Sequence, residues 1–416
     1  MIYWANDVYP PFFPDWFYEF LHLEHRLAFG MAVHFTAMWL FTLNGILYVS
    51  YLLISGEWRE IVPRKNSWRD AWKVTLSELG LRKNHPPQTG RFNAAQRIAY
   101  SGIILVGIGS VFTGLSIYKP VQLHPLASAF AGYEGARFFH FAFMLLYLIF
   151  FVIHVAQVVR AGWNHFKTIS LAYGFVLVFG AAGVFLWAAS GEKAAGISPT
   201  LRRVLEWNGI VGSQIYQSNR VPLLPAKPPF GKEPRVNGDL GLSGEVTPDR
   251  WKMDVYYQVN GKIEKKLTLS LADLRWLPKT DTVTEFKCIE GWSEVMAYAG
   301  VKFSDFLSYY HLGKETGPVR DSSQEAQSLF RYVGLETPDR KYYVSLDMDS
   351  MLHPQTVLAY EMNGVPLKNE NGAPLRLVAP IKYGIKSLKR IGAITFSDVR
   401  LPDYWAERGY DWYSGL

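Results

Sequence analysis

Two residue types in this sequence sit where their chemistry is conspicuous. The only cysteine of the chain, Cys288, lies in EFKCIEGWSEVMAYAG, with Glu290 two residues on. A lone cysteine is most often a small buried hydrophobe, but its thiolate is also a soft, strongly donating ligand for a high-valent metal. With no second cysteine there is no intrachain disulfide, and the compartment is left open. The other conspicuous residues are histidines in apolar runs: His34 in VHFTAMWLFTLNGILYVS, and His140 and His154 in GARFFHFAFMLLYLIFFVIHVAQVVRAG. An imidazole in lipid is costly and marks a site facing a bundle interior. Axial ligation of haem iron satisfies the nitrogen and hides the ring; hydrogen bonding between helices is the plainer alternative.

The elements that carry these residues differ in solvent. Residues 27 to 190 hold nearly all the long apolar runs, whereas 191 to 416 mix Pro, Gly, charge and short β-rich segments. A bilayer core of ~30 Å needs roughly 20 helical residues, and four runs are long enough: 27 to 54, 98 to 118, 138 to 159 and 169 to 189. The spacing predicts four transmembrane helices. The first 26 residues lack the basic and apolar regions of a cleavable signal. Segment 56 to 97 holds nine Lys/Arg against four acids, whereas 1 to 26 holds Arg26 against Asp7, Asp15, Glu19 and Glu24. The excess of basic residues faces the cytoplasm, so both termini are expected outside it. Much of the net charge of +7 is then a topology signal, and a nucleic-acid partner is not expected.

His140 and His154 are 14 residues apart, ~21 Å along a helix and within about 40° of one face. His34 lies about as far from the end of its own helix as His140 does, so parallel first and third spans put these two at one depth. His154 lacks such a partner, since the second and fourth spans contain no histidine, and His22, His25, His85 and His165 lie in flanking segments. Gly102, Gly107, Gly109 and Gly114 of the second span suit close helix packing or room for a flat ligand. Together RLAFGMAVHFTAMWLFTLNGILY, GRFNAAQRIAYSG and GARFFHFAFMLLYLIFFVIHV resemble the membrane b-type cytochromes of bacterial oxidoreductases. The resemblance implies exchange of electrons with the quinone pool.

In the second half, SNRVPLLPAKPPFGKEPRVNG reads as an extended linker. WKMDVYYQV, GKIEKKLTLS and TDTVTEFKC read as strands, and ADLRWL and GVKFSDFLSYY as helices, which gives an α+β domain. FKCIEGWSEVMAYAGVKFSDFL, RYVGLETPD and MNGVPLKNENGAPLRLVAPIKYGIKSLKRI resemble the sulfite-oxidase-fold molybdopterin enzymes, within them most the periplasmic methionine-sulfoxide reductase catalytic subunit. The resemblance makes Cys288 the molybdenum ligand and Glu290 an acid beside the metal. It carries Thr337, Asn371 and Arg376 to pterin contacts, and Ser387, Leu388 and Lys389 to the loop holding the pterin phosphate. For Lys382, Lys386, Lys389 and Arg390 the plain reading is a solvated basic face. The family's early asparagine and tyrosine contacts have no clear counterpart in residues 205 to 235.

The expected architecture is an α-helical membrane bundle of four transmembrane helices followed by an α+β sulfite-oxidase-like molybdopterin domain. Its parts are an extracytoplasmic segment 1–26, a cytochrome b domain 27–190, a linker 191–235 and a molybdopterin domain 236–416. Electrons are expected to move between quinone, haem b on His34 and His140, and molybdenum on Cys288, with His154 a candidate ligand of a second haem. No arginine lies within ten residues of Cys288, where sulfite oxidases cluster arginines around a dianion, and Glu290 repels small oxyanions. The expected reaction is therefore reduction of a neutral sulfoxide or other S- or N-oxide by oxygen-atom transfer. A sulfite-oxidase-like dehydrogenase delivering electrons to quinone is the alternative, and a non-catalytic haem electron carrier the third reading. The expected location is the bacterial inner membrane with the molybdenum domain on the periplasmic side; a homodimer is left open.

Overall fold

The computed structural model describes residues 14–20, 27–84, 86, 90–160, 198–215, 234–236, 238–244, 246–314 and 329–416. It divides into two units, His34–Ala188 and Met1–Val33 with Ala189–Leu416. Among the described residues three helices are long and apolar enough to cross a membrane: α1 (Leu27–Ser55), α3 (Ala94–Tyr118) and α4 (Gly132–Arg160). A shorter helix, α2 (Ser67–Glu78), lies between the first two. The expected fourth span at 169–189 lies outside the described residues, as do His22, His25, His85 and His165.

These helices form because their apolar residues run all the way round, the pattern of a helix whose solvent is lipid. Side chains such as Leu47, Ile54, Phe151 and Val152 are exposed. The start of α3 is set by a capping box: Gln96 N donates to Asn93 Oδ1 (2.9 Å) and Asn93 N to Gln96 Oε1 (3.0 Å). One turn on, buried Arg97 pairs with Glu60 (2.8 Å) and donates to the carbonyls of Arg59 and Val62. That ties the 56–62 segment to the head of α3.

The sheet-rich unit begins with α5 (Pro199–Ile215), in the interval expected as linker. Leu201 and Leu205 are buried, and Arg202 Nη2 donates to Ala406 O (2.9 Å). Two five-stranded sheets follow. In the first, β1 (Lys252–Val259) lies between β2 (Lys262–Ser270) and β10 (Ala393–Ser397), and β10 continues to β5 (Tyr332–Glu336) and β6 (Tyr343–Asp347); only β1 and β10 run parallel. In the second, β3 (Thr280–Lys287) and β4 (Ser293–Lys302) form a hairpin, and β7 (Val357–Met362) joins β4 to β8 (Val365–Pro366) and β9 (Arg376–Val378).

Alternation dictates this packing. Met253, Val255 and Tyr257 of β1 turn to one core with Phe303, Phe306 and Phe396, as the period of two requires. The expected helices appear at α6 (Leu271–Arg275) and α7 (Phe303–Tyr309), the segment before Phe303 belonging to β4.

The basic run does not form a solvated face. Lys382, Lys386 and Arg390 are 3%, 1% and 1% exposed. Lys386 pairs with equally buried Asp403, which also accepts from Ser345 N and caps α8 (Tyr404–Glu407) through Ala406 N. Lys382 pairs with Asp347 (3.2 Å) and sits over the Tyr413 ring. Arg390 is held by the carbonyls of Ala373, Ser243 and Gly244. Removing one partner of a buried pair strands the other charge. Asp403→Ala is therefore expected to cost about 3–5 kcal/mol in urea denaturation. Lys386→Met combined with Asp403→Asn should recover most of that loss.

Candidate functional site

Cys288 follows the last residue of β3. Its N–H donates to Trp292 O (2.9 Å) and its carbonyl accepts from Gly291 N (3.0 Å). Gly291 has φ +96°, a conformation that favours glycine. This turn closes the β3–β4 hairpin and sets Cys288 and Glu290 on one wall of a cavity of about 290 Å³. Cys288 is 4% exposed. The Glu290 carboxylate accepts from Trp292 Nε1 at 3.3 Å.

The opposite wall comes from the segment 369–390. Gly372 has φ +97°, and a Cβ there would meet Lys389 Cβ at 2.8 Å and Arg390 N at 2.9 Å, so two stretches of backbone run in close contact. That contact brings Asn371, Arg376, Ser387 and Lys389 to the cavity with Cys288 and Glu290. Thr337 and Leu388 are not among its lining residues. Thr337 is buried, donates to Asp339 Oδ1 (2.7 Å) and accepts from Tyr342 N. The Leu388 side chain belongs to the main core.

Arg376 is the centre of this wall. Its guanidinium is 4% exposed and donates to Asn371 O (3.1 Å) and Ser387 O (3.4 Å). It lies over the rings of Phe286 and Tyr298, yet its Nε has no hydrogen-bond partner among the described residues. Burial and the charge of Arg376 push Lys389 down to about 8. Burial pushes Lys382 down to about 8 against the opposing charge of Asp347, and lowers Lys386. A buried cluster short of negative charge, with an orphaned guanidinium N–H and a thiol on the facing wall, fits an anionic pterin whose metal takes sulfur. Cys288 would hold the molybdenum, and Arg376, Ser387 and Lys389 the anionic part.

Several lining residues carry no signal near Cys288 in the sequence. Arg235 stacks on Trp292, 4.7 Å from the ring. Tyr342 donates to Ile385 O (2.5 Å) and accepts from Trp405 Nε1 (3.1 Å), and its hydroxyl is pushed up, chiefly by burial and then by the charge of Asp403. Phe286, Trp292, Met296 and Tyr298 also line the cavity and flank Cys288 in the sequence. Although no arginine is near Cys288 along the chain, the fold brings Arg235 and Arg376 to its cavity. Repulsion of oxyanions therefore cannot be argued from Glu290 alone.

In the helical unit His34 and His140 face each other, with ring centroids 6.1 Å apart and planes 77° apart. An iron between two imidazoles needs about this spacing, each metal–nitrogen bond being about 2 Å. Thr113 Oγ1 donates to Gly109 O (2.7 Å) and lies 3.0 Å from His140 Nδ1. In the tautomer that carries its proton on Nδ1, His140 donates to this hydroxyl and leaves Nε2 for a metal. Cβ atoms at Gly107 and Gly109 would meet Tyr147 and Phe143 of α4 at 2.7 and 2.6 Å, whereas at Gly114 the neighbour is His140 itself (3.3 Å). The first two glycines thus serve helix packing. His154 is brought to neither histidine: its ring stacks on Phe150 and meets the edge of Tyr100.

Residues 2–171 match the Prokaryotic cytochrome b561 family, and residues 241–405 the Oxidoreductase molybdopterin binding domain family. The chain thus joins a region that matches the cytochrome b561 family to a region that matches the molybdopterin-binding oxidoreductase family. Over 158 residues it is 35% identical to the putative protein-methionine-sulfoxide reductase subunit YedZ1 of Azospira oryzae, covering 38% of this chain and 55% of that protein. The protein-methionine-sulfoxide reductase catalytic subunit MsrP of Campylobacter jejuni is 34% identical over 42% of this chain and 60% of its own. MsrP of Ralstonia nicotianae is 29% identical over 57% and 72%. The chain spans little more than half the length of the first two relatives.

The lowered lysines predict opposite effects of pH on folding and on loading. Between about pH 8 and 10.5 the folded chain carries fewer protons at Lys382 and Lys389 than the unfolded chain. Stability of the cofactor-free protein therefore rises with pH across that window. Deprotonation of Lys389, which lines the cavity, removes charge from the cradle, so an anionic cofactor is held less tightly. Urea midpoints of the cofactor-free protein should be higher at pH 9.5 than at 7.5, while pterin release from the loaded protein, followed by fluorescence, should be faster.

Proposed function

We propose that this protein is a membrane-bound molybdenum oxidoreductase that draws electrons from quinol, through haem b held by His34 and His140, to a molybdopterin centre on Cys288. There a neutral sulfoxide or related S- or N-oxide is reduced. The observation that carries this reading is the convergence of Cys288, Glu290, Asn371, Arg376, Ser387 and Lys389 on one cavity. Bound molybdenum supplies transfer of the oxygen atom together with two electrons.

The chain's own residues do the rest. Reduction of a sulfoxide to a sulfide consumes two electrons and two protons and releases the oxygen as water. Glu290 is a titratable carboxyl on the cavity wall beside Cys288, held by the Trp292 indole, and is placed to deliver protons to that oxygen. Phe286, Trp292, Met296, Tyr298 and Trp405 make much of the lining aromatic or thioether, which suits an uncharged, sulfur-bearing substrate. Relatives named as methionine-sulfoxide reductase subunits match parts of the chain, and the name fits this lining. The excess of Lys and Arg at 56–97 supports placing the molybdenum domain outside the cytoplasm.

A specific observation favours a second reading. Arg235 and Arg376 at the same cavity could hold an oxyanion, as a sulfite-oxidase-like dehydrogenase feeding quinone would need. Direction decides between them: with a reduced quinol analogue, turnover should appear with sulfoxides, and activity only in the oxidising direction would select the second reading. The two metal sites should also fail separately. Cys288→Ser is expected to lose molybdenum and to lower turnover by more than about 100-fold while keeping the Soret band. His34→Ala or His140→Ala should lose the Soret band with molybdenum content unchanged.

A further inference from the structure

Between α1 and α3 the chain builds a platform. Helix α2 packs against α3 and has faces of three kinds. Ser67 and Val74 are buried. Trp68, Trp72 and Leu79, just past its end, are 73%, 65% and 67% exposed and fall within about 40° of one another around the axis. Arg69, Asp70 and Lys73 occupy the remaining side.

A polar cleft of about 260 Å³ adjoins this helix, lined by Arg64, Lys65, Ser67, Asp70, Asn93 and Arg97. Asp70 is paired with Lys73 at 3.0 Å, and Arg97 with Glu60 at 2.8 Å. Arg64 and Lys65 are exposed at its rim, Arg64 in a loose, solvent-screened pair with Glu60 at 3.8 Å. α1 ends at Ser55 and α3 begins at Ala94, so platform and cleft stand at the ends of two membrane spans. The segment 56 to 97 has an excess of basic over acidic residues, nine to four.

We propose that α2 lies in the membrane interface, with Trp68, Trp72 and Leu79 in the acyl boundary, and that the cleft takes the phosphate headgroup of an anionic phospholipid through Arg64 and Lys65. Exposed tryptophans at the end of a span sit at headgroup depth. A helix with one apolar and one charged face lies in the interface plane. Basic pockets at the cytoplasmic ends of spans recognise anionic lipid headgroups. A lipid is favoured over a protein partner because this helix packs on a span, and lies in the loop between two spans, whose own exposed apolar surface already requires lipid.

The test uses the full-length, haem-loaded protein in mild detergent. Native mass spectrometry compares retention of phosphatidylglycerol and of phosphatidylcholine with the same acyl chains. Wild type should retain phosphatidylglycerol preferentially. Arg64→Gln with Lys65→Gln should weaken that retention roughly 25-fold, about fivefold per charge, without changing phosphatidylcholine retention or the Soret band. Equal retention of both lipids, unchanged retention in the variant, or displacement of the lipid by millimolar inorganic phosphate would overturn the proposal, the last by making this a free-anion site. Independently, in vesicles brominated along the acyl chain, Trp68→Phe with Trp72→Phe should lower the quenchable share of tryptophan emission; an unaltered share would place α2 clear of the bilayer.

Discussion

A cation removed from water must meet negative charge or full hydrogen bonding, and the sheet-rich domain buries four of them within fifteen residues: Arg376, Lys382, Lys386 and Arg390. The cost of stripping water from such ions is several kcal/mol each, so their partners dictate how this part of the chain folds. Lys386 takes Asp403, Lys382 takes Asp347 and Arg390 takes backbone carbonyls. Among the described residues Arg376 finds two carbonyls and two aromatic faces, and keeps an orphaned Nε. Three cations thus have partners that make their burial tolerable, and the fourth points to a ligand. An anion entering beside Arg376 and Lys389 completes a charge balance that the protein leaves open.

The helical unit solves a related problem in a different solvent. Hydroxyls of Ser110, Thr113 and Ser116 donate to the carbonyls four residues back along α3, which satisfies them without water. Thr113 Oγ1 also lies 3.0 Å from His140 Nδ1, which links the ring to the helix it faces. Arg97 and Arg137 are buried near the ends of their helices, each beside a glutamate. Polar groups persist in this unit where a neighbour fixes their role.

What could be read from the sequence follows from which forces are local. The three described spans are apolar all round, and their existence needs no tertiary information. β1, β2 and β3 show alternation, so their type was legible too. The cavity was half legible. Cys288 and Glu290 share one turn, and Asn371, Arg376, Ser387 and Lys389 share one motif that the fold brings to that turn. Arg235 and Trp405 were not legible, since nothing local marks a residue that reaches a site by crossing the fold. The solvated reading of Lys382, Lys386 and Arg390 failed for the same reason: Asp347 and Asp403, which make their burial tolerable, lie elsewhere in the sequence. Thr337 shows the converse, a motif residue whose described partners are Asp339 and Tyr342 while the cavity is lined by others.

Charge balance also bears on why two redox modules share one chain. A ligand that binds only the folded state stabilises it by mass action, so a domain whose cradle is short of negative charge gains stability as its anionic cofactor loads. His34 and His140, the histidines proposed to hold haem, lie on separate spans in the other unit. Two modules that load independently would have to find each other by diffusion as separate chains. Covalent linkage replaces that encounter with a fixed effective concentration and needs no large hydrophobic interface. Each module is then free to keep the packing its own solvent demands: glycine against aromatic rings along α3 and α4, and paired charges beneath the sheet.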